Sequence, residues 1–172
     1  DVQSGTMSVS SGAGSGVFDT ATNARTYLAY FTLTGDPVFA GDGTVDGSLV
    51  GDNAVLHGTL NLNQTGFQGT LTIASNAVLN LLANMTFFQT VLTNYGTVNW
   101  NAGQLLGQYS PRFYNYGLWD AKANNQFDND SGYYNDQMAT FNNYGTFRKS
   151  GGTGDGSNFA DTYLDQTLSF TN

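Results

Sequence analysis

The chain of 172 residues contains no cysteine, no glutamate and a single histidine. Without cysteine it has no disulfide, no thiolate metal site and no cysteine nucleophile. It has only two prolines, and charged residues make up 10% of the chain, well below the usual quarter. Because exposed helix surfaces are normally filled with Glu, Lys, Arg and Ala, this scarcity argues against an all-helical fold and against a helix-rich enzyme.

The basic residues are too few and too scattered for a nucleic-acid-binding protein. The formal net charge is −8, and only Arg148 and Lys149 are neighbours in sequence. Phosphate backbones are bound by clustered Lys and Arg, so we expect no nucleic acid partner. The longest apolar stretches, such as residues 77–83, are far shorter than a membrane-spanning helix, so we expect no membrane insertion.

Glycine, asparagine, threonine and aromatic residues are abundant, and they occur in a repeating unit. Glycine and threonine followed by alternating apolar and polar residues occur at 58–62, 69–73 and 96–100, and in a shorter form at 145–147. Alternation with a period of two indicates β-strands with one buried and one exposed face. A unit that returns every 20 to 30 residues or so is typical of solenoid proteins.

A fuller unit, apolar–x–Asn–Tyr–Gly, occurs three times, with its asparagines 21 and then 28 residues apart. If each coil rises by one strand spacing, about 4.8 Å, equivalent residues stack directly on one another. We then expect a ladder of asparagine amides, a column of tyrosine rings beside it, and corner glycines with positive φ. The predicted ladder residues are Asn94, Asn115, Asn143, Asn172, Tyr95, Tyr116, Tyr144, Gly96, Gly117 and Gly145.

These patterns predict an all-β fold in which residues 1–172 form one domain. The predicted architecture is a right-handed parallel β-solenoid, or β-helix, of about eight coils. The alternative is an antiparallel β-sandwich or jelly roll, which also has short strands joined by Gly and Asn turns. The solenoid is favoured because the same unit keeps returning, which a sandwich does not require.

The two ends of the sequence carry complementary parts of the unit. The last three residues match the start of the unit at 141–143, whereas residues 1–7 match 99–105, which follow the unit. We therefore expect the chain to be a slice or subunit of a longer head-to-tail array. Its partners are either adjoining repeats of the same chain or copies of itself, and the sequence leaves both open. The predicted assembly ends are Asp1, Val2, Phe170, Thr171 and Asn172.

Three segments resemble the rungs of a known protein class. They are Phe-Asn-Asn-Tyr-Gly-Thr-Phe-Arg-Lys-Ser-Gly-Gly-Thr-Gly at 141–154, Asn-Tyr-Gly-Thr-Val-Asn-Trp-Asn-Ala-Gly at 94–103, and Val-Gln-Ser-Gly-Thr-Met-Ser-Val at 2–9. Each is similar to a rung of the very long, secreted, repetitive β-solenoid proteins of environmental bacteria. Those proteins are broadly similar to filamentous-haemagglutinin and autotransporter-passenger solenoids. The resemblance implies an extracellular or cell-surface location and a structural or adhesive role, with no catalytic motif.

We expect this chain to need no cofactor, and calcium is the one possible exception that the sequence suggests. Asp128 and Asp130 lie in the run Asp-Asn-Asp-Ser-Gly, which resembles the start of a calcium-binding loop. No glutamate follows to close such a loop. Because aspartate beside glycine also occurs in ordinary turns, the turn interpretation is favoured over the metal site.

Catalysis is the second chemical alternative. Parallel β-helices host polysaccharide lyases and glycosidases, which place carboxylates, and in lyases Lys or Arg, on an exposed face. Asp120 and Lys122 share one alternating strand, with Arg112 near in sequence. A solvated ion pair is the favoured interpretation, because such pairs are common and the basic residues are too few for a groove that binds uronates. His57 precedes a glycine and is typical of a turn, and no Gly-x-Ser-x-Gly motif supplies a nucleophile.

We therefore predict a non-enzymatic structural unit of an extracellular fibre or surface adhesin, assembled end to end through edge strands. One alternative is a carbohydrate-active enzyme, and the other is a calcium- or glycan-binding module. Aromatic residues crowd one stretch of the sequence and could bind sugars if they are exposed, so a glycan or another surface ligand is a possible partner. A minor alternative is ice binding by a stacked threonine row, formed by Thr59, Thr70, Thr97 and Thr146.

Overall fold

A computed structural model describes residues 3–129, 138–152, 163–164 and 169–172. Asp1, Val2 and Asp130, which the sequence singles out, lie outside these ranges. The described chain is all β and has no helix, and its strands form a parallel β-solenoid. No helix in this part of the chain is therefore long and apolar enough to span a membrane.

Short strands follow one another with few residues between them, as the period-two pattern predicts. Their bounds are β1 Thr6–Val9, β2 Gly12–Gly14, β3 Val17–Asp19, β4 Arg25–Thr34, β5 Val38–Ala40, β6 Thr44–Ile73, β7 Val78–Leu81, β8 Met85–Asn94, β9 Thr97–Trp100, β10 Gln104–Gln108, β11 Arg112–Asn115, β12 Leu118–Ala121, β13 Gln126–Asn129, β14 Thr140–Asn143, β15 Thr146–Lys149, β16 Tyr163–Leu164 and β17 Ser169–Thr171.

Each turn of the coil contributes strand segments to three parallel columns, which we call faces A, B and C. Face A contains β1, residues 25–28 and 44–47, residues 65–68 and 85–88, β10, β13 and β16. Face B contains β2, residues 31–34 and 49–52, residues 69–73 and 90–94, β11, β14 and β17. Face C contains β3, β5, residues 57–62, β7, β9, β12 and β15.

The described part of the chain forms about six turns, a count that differs slightly from the eight predicted. In the early turns equivalent residues are 18 to 21 positions apart. In the late turns the ladder asparagines are 28 and 29 positions apart. The late turns take up more chain, so the same length makes fewer of them. The strand pairings are parallel along all three faces, which excludes the antiparallel sandwich.

The interior is a continuous apolar core whose character changes along the coil. Leucine is the commonest core residue up to about residue 81, where Phe31, Phe39 and Phe67 are the aromatic members, whereas aromatic side chains, including both tryptophans, make up a larger share of the later core. Phe113 contacts Trp119 and Phe127 edge to face, at centroid distances of 6.0 Å and 5.1 Å, and it stacks on Phe141 at 6.0 Å. Aromatic pairs in these geometries add stability beyond the area they bury. Phe113, Trp119 and Phe127 of the crowded stretch therefore belong to the core, whereas Tyr109 and Tyr114 are partly exposed and Tyr116 is exposed.

Candidate stacking surface

A ladder of side-chain amides runs along the inside of face B. Asn94 donates from Nδ2 to Oδ1 of Asn115 at 2.7 Å, Asn115 donates in the same way to Asn143 at 2.7 Å, and Asn143 donates to Asn172 at 2.5 Å. The parallel register sets Asn94 opposite Asn115 and Asn115 opposite Asn143. Identical amides one strand spacing apart can each donate to the next and accept from the one before.

The amide ladder also holds the adjoining corner of the coil. The second hydrogen of each amide reaches a backbone carbonyl beyond the corner: Asn94 Nδ2 lies 3.0 Å from the Leu118 carbonyl oxygen, and Asn115 Nδ2 lies 3.1 Å from that of Thr146. Both asparagines are fully buried. The ladder begins at Asn94 because Ile73 occupies the equivalent place one turn earlier. Asn94 Oδ1 consequently has no hydrogen-bond partner among the described residues.

The three tyrosines that follow these asparagines form a column on the outside of the same corner. The ring centroids of Tyr95 and Tyr116 are 5.1 Å apart, and those of Tyr116 and Tyr144 are 5.0 Å apart, with 16° between the ring planes in both pairs. The spacing matches one strand per turn. About half of each side chain is exposed, so the column is a surface feature and not part of the core.

The glycines at this corner are needed for a different reason from the one predicted. None of Gly96, Gly117 and Gly145 has a φ angle in the left-handed region, which corrects the sequence-based expectation. A Cβ atom on Gly117 would overlap the carbonyl oxygen of Gly96, and one on Gly145 would overlap that of Gly117. Successive turns approach so closely here that the backbones touch. The corner therefore requires glycine for space, not for its backbone freedom.

The last described turn presents these features along its outer edge. Among the described residues β17 pairs with β14 on one side only. Phe170 stacks on Phe141 with a centroid distance of 5.3 Å and 10° between ring planes, and its side chain is 36% exposed. Thr171 pairs with Asn142, and Asn172 adds the last amide to the ladder. We call Phe170, Thr171 and Asn172 the C-terminal stacking surface.

The opposite end of the described coil also has a strand edge with no described neighbour. Among the described residues, β1 pairs with β4 on one side only, and Met7 is 37% exposed. A cavity of about 50 Å³ opens between Met7, Phe18, Thr20 and Phe39. We call β1 and this cavity the N-terminal stacking surface.

A second asparagine ladder, which the sequence analysis missed, runs along the outside of face C. Asn80 donates to Oδ1 of Asn61 at 2.7 Å, and Asn99 donates to Oδ1 of Asn80 at 2.8 Å. These asparagines are 19 residues apart and only half buried. The signal was present, since Asn61 and Asn99 both follow Gly-Thr and one apolar residue, and an asparagine between two leucines stands midway between them.

Asp120 continues that column and forms an ion pair with the next turn. It lies opposite Asn99 on one side and Arg148 on the other, and Arg148 Nη2 donates to its Oδ2 at 2.6 Å. The Arg148 hydrogen bond, helped by Ser150, holds the pKa of the Asp120 carboxyl below its ordinary value although burial opposes the shift. Asp120 is buried and ionised at neutral pH, which does not suit a general acid.

The other residues of the catalytic alternative do not converge on Asp120. Lys122 is exposed and contributes only a weak favourable field to the carboxylate. Arg112 lies on β11 of face B, whereas Asp120 lies on β12 of face C. His57 lies beside Asp36 at the surface, with 3.7 Å between Nε2 and Oδ1.

The carboxylate of Asp128 is occupied by neighbouring amides. Gln126 donates from Nε2 to both carboxylate oxygens at 2.8 Å, and Gln104 of the previous turn donates to Oδ2. Asp130, the other residue of the suggested calcium site, lies outside the described residues. Within the described ranges no three His, Cys, Asp or Glu side chains come together as a metal site.

The predicted threonine row does not form. On face C, Thr59 lies opposite Val78, Val78 opposite Thr97, and Thr97 opposite Leu118, so apolar residues interrupt the column. Thr70 lies on face B, opposite Val91. The Gly-Thr units fall on two different faces because the chain turns a corner between them.

Comparison with protein-family models, with curated proteins and with solved structures found no match to this chain. The resemblance to secreted repetitive solenoids therefore stays a sequence-based prediction.

Proposed function

We propose that this chain is a non-enzymatic structural unit of an extracellular fibre or surface adhesin, whose rungs continue end to end beyond both stacking surfaces. The observation that carries the proposal is the C-terminal stacking surface. There the amide ladder, the core aromatic stack and a strand edge all end together on the described residues Phe170 and Asn172. The extracellular location in this proposal comes from the resemblance to secreted solenoids.

Each added rung would extend three interactions that already repeat inside the coil. An incoming strand would pair with the free edge of β17, an incoming amide or carbonyl would accept from Asn172, and an apolar side chain would cover Phe170. Free strand edges are templates for further strands, and open solenoid ends invite stacking. The contact joins two different surfaces, so it does not close on itself and produces filaments. The adjoining rung belongs either to further repeats of the chain or to another copy.

The catalytic and calcium-binding alternatives have less support from the described residues. The carboxylate of Asp120 is buried against Arg148, and that of Asp128 accepts hydrogen bonds from two glutamines. Neither carboxylate is free to act on a substrate or to ligate an ion without first losing these partners.

Electron microscopy of the purified chain tests stacking between copies. We expect uniform fibres with an axial repeat of about 30 to 40 Å, which is six to eight strand spacings. Phe170→Asp should abolish the fibres, because it buries an unpaired charge in the contact. Tyr95→Asp is the matched control: Tyr95 is 50% exposed on the outside of the coil, several turns from both ends, and its replacement should leave the fibres intact. Particles that stay single under all conditions, or equal effects of the two variants, would contradict stacking between copies.

A further inference from the structure

A groove of about 410 Å³ lies where face A turns into face B, on the side of the coil. It spans four successive turns, from Tyr30 to Phe88, which is three strand spacings or about 14 Å. Its lining residues are Tyr30, Ser48, Leu49, Val50, Gly66, Phe67, Gln68, Thr86 and Phe88. The groove lies on the side of the coil and at neither end, so its occupant is a separate question from fibre formation.

Aromatic rings stand at the two ends of the groove, and small residues form its floor. The side chain of Tyr30 is 74% exposed, the highest value among the exposed large hydrophobic residues. Phe88 is half buried and is supported from the next turn by Tyr109, at a centroid distance of 4.4 Å. Between the two ends lie Ser48 and Gly66, and a Cβ atom on Gly66 would come within 3.3 Å of the Ser48 hydroxyl. Small floor residues thus leave the space open between two ring walls.

The backbone at this corner is held in an unfavourable conformation. Tyr30 has a φ of 51° where the register between β4 and β6 shifts, and Gln89, next to Phe88, has a φ of 47°. Left-handed backbone is unfavourable for a bulky residue such as tyrosine. Folding does not recover this cost by burying the Tyr30 ring, which projects into solvent. Strained residues cluster at ligand-binding and active sites, so the strained and exposed Tyr30 is a candidate ligand contact.

The polar groups of the groove are uncharged. None of the nine lining residues carries a charge, although the chain as a whole has a formal net charge of −8. Gln68 is exposed and Ser48 and Thr86 are partly exposed, and none of these three side chains makes a hydrogen bond to another residue in the part of the chain that the structure describes. The groove therefore offers free amide and hydroxyl groups beside aromatic rings, and nothing in it favours an anion or a cation.

We propose that this groove binds a neutral oligosaccharide. A sugar ring presents a C–H face, which packs against an aromatic ring, and a rim of hydroxyl groups, which pair with amide and hydroxyl side chains. Tyr30 and Phe88 take the faces of two sugar rings, and Gln68 pairs with the hydroxyl rim between them. A purely apolar ligand would leave the polar groups unpaired, and an acidic glycan would meet the field of a negatively charged chain.

Isothermal titration calorimetry with the purified chain tests the proposal. The probes are the neutral hexasaccharides of cellulose, mannan, xylan and chitin, with a tri-galacturonate as the acidic comparison. We expect at least one neutral probe to bind and the acidic probe not to bind. Tyr30→Ala should weaken that binding about tenfold or more, because it removes one ring wall. Tyr30→Trp should retain the binding, because a ring wall remains.

Tyr27→Ala is the matched control, since Tyr27 is an exposed tyrosine on the same strand but outside the groove. It should leave both affinity and melting temperature unchanged. The proposal is overturned if no neutral probe binds, if the acidic probe binds equally well, or if the two alanine variants lose affinity alike. Sedimentation velocity gives a further test. If Tyr30→Ala instead abolishes side-to-side association of copies, the groove is a protein contact and the proposal is wrong.

Discussion

Asn115 is fully buried in the core of the amide ladder, where a polar residue is stable only if all its hydrogen bonds are made. It accepts from Asn94, donates to Asn143 and donates to the Thr146 carbonyl. One amide thereby joins three successive turns of the coil. Asparagine is suited to this place because its amide carries both a donor and an acceptor, which neither aspartate nor leucine does.

We expect Asn115→Ala to lower the free energy of unfolding by about 2 to 4 kcal/mol. The substitution leaves one of the two N–H groups of the Asn94 amide and the Oδ1 atom of Asn143 without a partner in a buried site. Urea unfolding followed by circular dichroism measures the change.

Asn80→Ala is the matched control in the outer ladder. Asn80 also bonds to an asparagine on each side, but it is half buried, so water can replace the lost partners. We expect a loss less than half that of the buried site. Equal losses at the two sites would show that burial does not govern the strength of these ladders.

At the scale of the elements, the corner between faces B and C brings consecutive turns into backbone contact. Gly117 lies between the carbonyl oxygen of Gly96 below it and Gly145 above it, and a side chain at any of the three would overlap a backbone atom. Backbone atoms cannot move aside as the end of a flexible side chain can. The close spacing of the turns at this corner is therefore possible only because the residue there is glycine.

We expect Gly117→Ala to destabilise the fold by about 2 kcal/mol or more, because the added methyl group forces the two turns apart. The melting temperature should fall, and the tyrosine column beside the corner should be disturbed, which near-ultraviolet circular dichroism would detect.

Gly66→Ala supplies the comparison, since its new Cβ would meet only the side-chain hydroxyl of Ser48, at 3.3 Å. We expect a change within about 0.5 kcal/mol, typical of a surface substitution. If alanine is tolerated equally at both glycines, close approach is not the reason for the corner glycine.

For the molecule as a whole, the net charge of −8 opposes the proposed stacking of copies. Copies of equal charge repel as they approach, and salt screens the repulsion. The strand edges and the apolar surfaces act only at contact, so salt affects them much less. Charge should therefore control the rate of assembly more than the structure of the fibre.

We expect assembly to be about tenfold faster in about 150 mM NaCl than in about 10 mM NaCl. The Debye length is about 8 Å at the higher concentration and about 30 Å at the lower one, so the repulsion between copies is screened at the higher concentration. Light scattering follows the rate, and Phe170→Asp serves as the control that should not assemble at either concentration. Faster assembly at the lower salt concentration would mean that attraction between charges, and not the stacking surfaces, drives the contact.

Local pattern was sufficient for the parallel solenoid. The Gly-Thr units and the recurring Asn-Tyr-Gly of residues 94–96, 115–117 and 143–145 impose strands and corners at intervals of one coil. Such a repeat can bury its apolar face only against its own neighbours, so periodicity and fold are closely connected. The number of turns was predicted less accurately from the sequence, because it depends on how many residues each turn contains.

The sequence by itself determined that this chain is all β, that it coils in parallel, and which asparagines and tyrosines recur at one position of the coil. Only the tertiary structure decided that the corner glycines serve close approach, that Thr59 and Thr70 lie on different faces, and that Tyr30 and Phe88 enclose a groove across four turns. The physical reason is that a repeat specifies which residues are equivalent. The distances between neighbouring turns and the spaces left between side chains arise only when the turns pack together.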